Sequence, residues 1–425
     1  MRTEHSINFP SQAVSDLEKI SEDYGLKVAR AIRHEWFSGS TSKYDNYQNN
    51  FHNLRLYARG EQPIQKYKNE LSINGDLSYL NLDWKPVPII PKFVDIVVNG
   101  MAQRNFEINC FSQDEKGVSK RTEYMESMLR DMRAKNFNDI AQQTFGVDMY
   151  ENEKEKLPDT EEELALHMQL DYKQAVELAE EQALNVLLEG SDYDLIRRRC
   201  LYDLTVLGIG ATKTTFDFSS GARVEYVDPA DLVYSYSESP YFEDIYYIGE
   251  VKEIPINELV KQFPDLSESE IKDIADKYSY PLDYVNHRDK NKVQVLYFNY
   301  KTHMNDVYKL KTLGSGAERA IEKDDTFNPP VENMDGDFSR LERVVEVLYE
   351  GVYIIGSDKI LEWRMCPNMM RTDSDFSKVK MNYQLVAPRM YQGKIESIVG
   401  RITSFADMIQ LTHLKLQQVM ARMVP

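Results

Sequence analysis

The sequence predicts a mixed α+β fold in which helices and antiparallel strands alternate and the chain closes on one long helix. Three observations carry that expectation. Segments such as KVQVLYFNYKTH (Lys292–His303) and RVVEVLYEGVYIIG (Arg343–Gly356) alternate apolar and polar residues or run apolar between turn residues, as strands do. Neighbouring strand segments are joined by short connections, which suit antiparallel pairs. The segment Gly393–Pro425 repeats apolar side chains every seven residues.

Taken in order, the chain opens with a helix expected from about Ser11 to Phe37, followed by a polar stretch rich in Asn and Tyr. No role attaches to the first 84 residues. From Trp84, WKPVPIIPKFVDIVVNGMAQRNFEINCF begins extended, because a proline disfavours helix in the residue before it, and then predicts a helix near Lys92–Gln103 and a short strand. Pro158 stops the charged run Glu151–Lys156. Thr160 with Glu163 then forms a capping box for a helix running to Leu188 and closed by Gly190. On charge grounds this is a solvated surface helix. A further helix, Asp194–Leu207, ends at Gly208, and TKTTFDF, a Ser-Ser-Gly turn and ARVEYVDP make a hairpin. The strand YYIGEVKEI, two short helices flanking Pro264 and a strand meander reaching KILEWRM complete the body. The divisions expected are 1–280 (α+β), 281–390 (β-rich) and 391–425 (the long helix).

A chain of 425 residues with 42% hydrophobic side chains can bury a sizeable core. Its longest nearly uncharged run, Val87–Ala102, is broken by Pro91, Lys92 and Asp95 and falls short of the roughly 20 residues a membrane helix needs. No membrane partner is expected. The N-terminus, MRTEHSINFP, lacks the basic start and apolar core of a secretory signal. Cys110, Cys200 and Cys366 are odd in number and far apart, which argues against a disulfide framework and fits a cytosolic origin. Lys and Arg number 51 against 69 Asp and Glu, a net charge of -18. That field opposes avid binding of nucleic acid by the whole surface, and it equally suits a protein that lets DNA slide past without gripping it.

Catalytic motifs are sparse. In Gly208-Ile-Gly210-Ala-Thr-Lys213-Thr214 a P-loop would need glycine where Thr212 stands and a dinucleotide fingerprint would need it at Lys213, so a helix C-cap with a tight turn is the better reading. The histidines at 5, 34, 52, 167, 287, 303 and 413 show no ligand spacing, and no metal or cofactor is expected. Asn333–Asp337 lacks the alternating ligands of a calcium loop and reads as a turn.

At 100° per residue, Ile395, Ile398, Ile402, Phe405, Ile409, Leu416, Val419, Met420 and Met423 fall within one stripe of about 120° on the terminal helix. The opposite side carries Glu396, Thr403, Ser404, Asp407, Gln410, Gln418 and Arg422. These polar residues are expected to face a lumen or a neighbour, and the stripe to pack against other helices. Few Glu–Lys pairs support the helix surface, and Leu411 and Leu414 lie off the stripe, so more than one face is expected to be covered.

Three stretches resemble the portal protein of tailed bacteriophages, particularly the podovirus and crAss-like type. VPIIPKFVDIVVNGMAQRNFEINC (Val87–Cys110) looks like the early portal segment of extended lead-in, helix and Arg-Asn turn. LYDLTVLGIGATKTTFDFSSGARVEYVDPADLVYS (Leu201–Ser235) is similar to the family's helix, glycine turn and hairpin. VAPRMYQGKIESIVGRITSFADMIQLTHLKLQQVMARMVP (Val386–Pro425) resembles the lead-in and long stem helix. The resemblance runs over most of the chain from about residue 85, as weak motifs without a catalytic signature.

The resemblance implies a wing-like region at 1–280, a hip-like region at 281–390 and a stem helix at 391–425 leading to a clip that this sequence lacks. It implies a dodecameric ring of this chain at one capsid vertex of the virion, with partners in double-stranded DNA, the major capsid protein, the terminase motor and the head–tail adaptor. Two other classes stay open: a DNA-processing enzyme with a dispersed carboxylate site, and a cytosolic scaffold whose heptads form a dimeric coiled coil.

Overall fold

Serine side chains punctuate the first helices. In the computed structural model, which describes residues 8–38, 42–72, 82–104, 106–146, 157–170, 172–219, 221–281, 288–312, 318–328, 338–372 and 374–423, Ser15 caps α1 (Asp16–Ile20) and Ser21 caps α2 (Glu22–Phe37). The single helix expected over Ser11–Phe37 is therefore two. The Ser21 backbone is extended, and its hydroxyl accepts from Tyr24 N at 3.3 Å, a local bond that competes with helix continuity. The Asn- and Tyr-rich stretch that had no assignment forms α3 (Lys43–Arg59), capped by Ser42 and ended by left-handed Gly60, and then α4 (Gln65–Leu71). Next, α5 (Ile90–Ala102) carries Pro91 in its first turn, where the missing N–H costs nothing.

The strand expected after α5 does not form. The Cys110 and Ser112 amides instead donate to the carboxylates of Glu181 and Glu177, at 3.0 and 2.9 Å. These acids belong to a separate unit, Arg104–Tyr193, whose described residues form three helices: α6 (Glu115–Phe145), α7 (Glu161–Leu170) and α8 (Ala175–Gly190). Met128, Leu164 and Met168 make its small core, and Tyr124 stacks on Tyr172 with ring centroids 4.3 Å apart. The continuous helix expected over Thr160–Leu188 is broken before Ala175, where Gln174 N turns to Glu177 Oε2 at 2.8 Å and starts a new helix. Thr160 accepts from Glu163 N at 3.2 Å as expected. The runs Glu151–Lys156 and Asn333–Asp337 lie outside the described residues.

The larger unit comprises Met1–Gln103 and Asp194–Pro425. Its second part opens with α9 (Tyr193–Val206). Gly208 ends that helix at φ +86°, and a Cβ there would meet Glu396 O at 2.7 Å, so both conformation and space require glycine. The hairpin β1 (Gly210–Asp217) and β2 (Gly221–Tyr226) follows as expected. Then come β3 (Leu232–Tyr234), β4 (Tyr247–Pro255), α10 (Ile256–Gln262), α11 (Glu268–Lys277) and β5 (Ser279–Pro281). The remaining strands are β6 (Arg288–Thr312), β7 (Glu318–Lys323), β8 (Phe338–Ile354), β9 (Ile360–Met365), β10 (Met370–Thr372), β11 (Asp375–Lys380), β12 (Tyr383–Val386), β13 (Met390–Tyr391) and β14 (Lys394–Ile395). The last helix, α12, spans Ile398–Met423.

Every described strand pair is antiparallel. A seven-stranded sheet runs β3-β4-β6-β8-β9, with β5 and β7 on other stretches of β6, and a three-stranded sheet runs β12-β1-β2. β6 and β8 stay in register from Val295↔Ile354 to Lys311↔Phe338. The larger sheet is covered by α2, whose Tyr24, Val28, Ile32 and Trp36 meet Tyr247, Leu296, Tyr300, Tyr349 and Trp363. A second cluster joins Phe51 of α3, Ile90 and Val94 of α5 and Val399 and Ala406 of α12 to Val206, Ile209 and Leu385.

This pairing does not follow the boundary expected at 280/281. β4 is bonded to β6 from Tyr247↔Tyr300 to Pro255↔Lys292, and β1 to β12 from Gly210↔Val386 to Lys213↔Tyr383. Strands from both sides of the expected boundary share each sheet, so residues 1–280 and 281–390 are not separate bodies.

Candidate functional site

The sequence singled out α12, and its orientation decides what the helix can do. Ser397 caps it, accepting from Gly400 N at 2.8 Å, so the helix starts at Ile398. Ile395 and Glu396 precede it. Ile395 pairs with Met390 across the β13–β14 turn and packs on the core, while Glu396 binds Arg401 at 2.6 Å. Their expected places on the helix, Ile395 in the apolar stripe and Glu396 on the opposite polar face, are corrected accordingly: Ser397 is the cap, and chain before a cap is extended.

The face turned toward the chain holds Val399 and Leu414, both 0% exposed, with Ala406. Asp407 and Gln410 share it, at 6% and 1% exposed. The expectation that these two face a lumen or a neighbour is overturned. The Asp407 carboxylate accepts from Tyr57 OH at 2.8 Å and Tyr67 OH at 2.7 Å and pairs with Lys66. Gln410 Oε1 accepts from Val87 N at 2.9 Å, and its amide nitrogen donates to Lys85 O at 3.3 Å. Gln417 accepts from Asp83 N at 3.3 Å. The polar residues are ties to α3, α4 and the extended segment before α5.

Burial alone would raise the pKa of Asp407. The bonds from Lys66, Tyr67 and Tyr57 outweigh it and hold the carboxyl below the usual carboxylate range. Burial and the same carboxylate keep the Tyr57 and Tyr67 phenols protonated, well above the ordinary tyrosine range.

The inward face is turned by about 120° from the apolar stripe at 100° per residue. Much of the stripe is therefore open: Phe405 is 58% exposed, Leu416 56% and Met423 75%, and Met408, Val419 and Met420 are exposed beside them. Ile398, Ile402 and Ile409 are half-buried, and Ile402 packs on the core. Among the remaining predicted polar residues, Thr403 donates back to Gly400 O at 3.0 Å and Gln418 is half-buried. The side chain of Arg422 lies outside the described residues. Tyr57, Lys66 and Tyr67 were missed by sequence reasoning, since nothing local marks them as partners of a residue some 340 positions away.

Among the described residues, no group of three or more His, Cys, Asp or Glu side chains is placed to hold a metal ion, and no helix is long and apolar enough to cross a membrane. Compared with known proteins, the chain matches no family model and no curated sequence.

Proposed function

We propose that this chain is a structural subunit of a portal ring, the head–tail connector at one capsid vertex of a tailed bacteriophage, through which double-stranded DNA is packaged and ejected. The observation that carries the reading is the open apolar stripe of α12, on a helix tied to its own chain by its polar residues. Six side chains, Phe405, Met408, Leu416, Val419, Met420 and Met423, are left in water. Covering each gains about 1 kcal/mol, since they are roughly half exposed and full burial is worth about 1.5–3 kcal/mol. The seven-residue repeat suits a like helix as the cover. A head-to-tail contact of this kind closes into a ring when its rotation permits.

The acidic balance, -18, suits a conduit that holds DNA weakly. On this reading the ring sits in the virion after assembly in the bacterial cytoplasm. Its partners are the major capsid protein, the terminase motor and the head–tail adaptor, and its work requires no catalytic group or cofactor.

Light scattering and negative-stain electron microscopy of the purified chain test it. Closed rings are expected, and Phe405→Asp with Leu416→Asp should give folded monomers. A persistent monomer at high concentration overturns the proposal, and a dimer favours the coiled-coil scaffold instead. Ile402 is a poorer probe than its place in the heptad suggests, because it also packs on the subunit's own core.

A further inference from the structure

In the unit Arg104–Tyr193, α8 has the same arrangement as α12. Its inward side chains are acids: Glu177 and Glu181, 1% and 9% exposed, hold the Ser112 and Cys110 amides, and Glu181 pairs with Lys173 at 2.6 Å. At 100° per residue the opposite side carries Val176, Ala179, Ala183 and Val186. All four are exposed, Val176 at 59% and Val186 at 68%. Their spacing of three, four and three residues is the apolar repeat that Ile402, Phe405 and Ile409 begin on α12.

Side chains that flank such a seam choose its partner by charge. On α8 they include Glu180 and Glu189, both exposed, and the helix carries no Lys, Arg or His. On α12, Arg401, Lys415 and Arg422 share one flanking position of the repeat, and Arg401 and Lys415 are exposed. The one acid of α12, Asp407, is turned inward and tied to α3 and α4. Two α12 helices laid stripe to stripe would bring cations to cations, whereas α8 brings acids and an uncovered apolar seam. We propose that the open stripe of α12 docks on α8 of a second copy of this chain, with Glu180 and Glu189 set against the α12 cations. The inference rests on the ring reading and names the surface of the neighbour that the stripe meets. Because the two faces differ, the contact is head-to-tail, as ring closure requires.

Sedimentation velocity and mass photometry of the full chain test it by charge exchange. Glu180→Lys with Glu189→Lys should weaken assembly about tenfold with an unchanged circular dichroism spectrum, and Lys415→Glu with Arg422→Glu should do the same. All four substitutions together should return assembly to within about threefold of the parent. Val176→Asp with Val186→Asp, which leaves these charges in place, should abolish assembly of a folded chain. If Phe405→Asp with Leu416→Asp prevents ring formation while the α8 substitutions leave it intact, the stripe meets another surface: the docking on α8 is overturned and the ring reading stands. Failure of the fourfold variant to recover assembly also overturns the docking. A parent chain that stays monomeric overturns both.

Discussion

Asp407→Ala should release α12 from its own subunit. The carboxylate is nearly buried and accepts from two phenols, one of them, Tyr67, fully buried. A hydrogen bond to a charged group is worth about 1.5–3 kcal/mol, so the two together contribute about 3–6 kcal/mol. Lys66 is half exposed, and its ion pair adds less than about 1 kcal/mol. Alanine leaves two phenol donors without an acceptor, and the expected loss is at least about 3 kcal/mol, on the order of a hundredfold in the opening equilibrium. Hydrogen–deuterium exchange reads this directly, because local opening exposes the α12 amides without global unfolding. The sign with pH follows from the depressed pKa. The stabilisation is present above the unfolded carboxylate value of about 3.9 and is lost as pH falls through the folded value, so protection of α12 should hold from pH 7 to about 4 and drop below. If α12 protection in Asp407→Ala stays within about threefold of the parent, the carboxylate does not anchor the helix.

Other outcomes follow from the same geometry. Phe405→Asp and Leu416→Asp, both at exposed positions, should each change subunit stability by less than about 0.5 kcal/mol in denaturant melts while reducing the assembled mass; a large loss of stability would place these side chains in the core. Asp203 is pushed up to about 6, by burial against the opposing bonds from Tyr226 and Arg55. Raised above its unfolded value, it contributes stability at low pH that declines as pH rises from about 4 to 6. Asp203→Asn should flatten that decline in urea midpoints measured across the range, and an unaltered slope would exclude Asp203 as its source. Gly25→Ala would set a Cβ 2.4 Å from the Trp363 ring and should cost about 1–3 kcal/mol by thermal denaturation. A neutral result there would mean that α2 does not pack against Trp363 of β9.

Much of the local structure was legible because its signals are local. Gly208 had to end α9, the Ser-Ser-Gly turn had to join β1 to β2, and alternation marked β4, β6 and β8. The misses also have a local form. Ser21 split one expected helix and Gln174 another, because a side chain that caps a new helix competes with continuing the old one, and periodicity alone does not register that competition. The strand after α5 failed because its amides found carboxylates of α8, about 70 residues on.

By itself, the sequence determined the α+β class, the antiparallel habit and a long terminal helix with a heptad stripe, since each depends on near neighbours and on backbone period. Which face of that helix turns inward was settled only by the tertiary structure. Hydrophobicity points to the stripe of Phe405 and Leu416, yet Asp407 and Gln410 are the side chains turned inward. Their partners, Tyr57, Tyr67 and the backbone of Lys85 and Val87, arrive from more than 300 positions away. A buried carboxylate with three donors and an amide with two backbone partners hold that face against its own polarity, and the apolar stripe is left open to solvent.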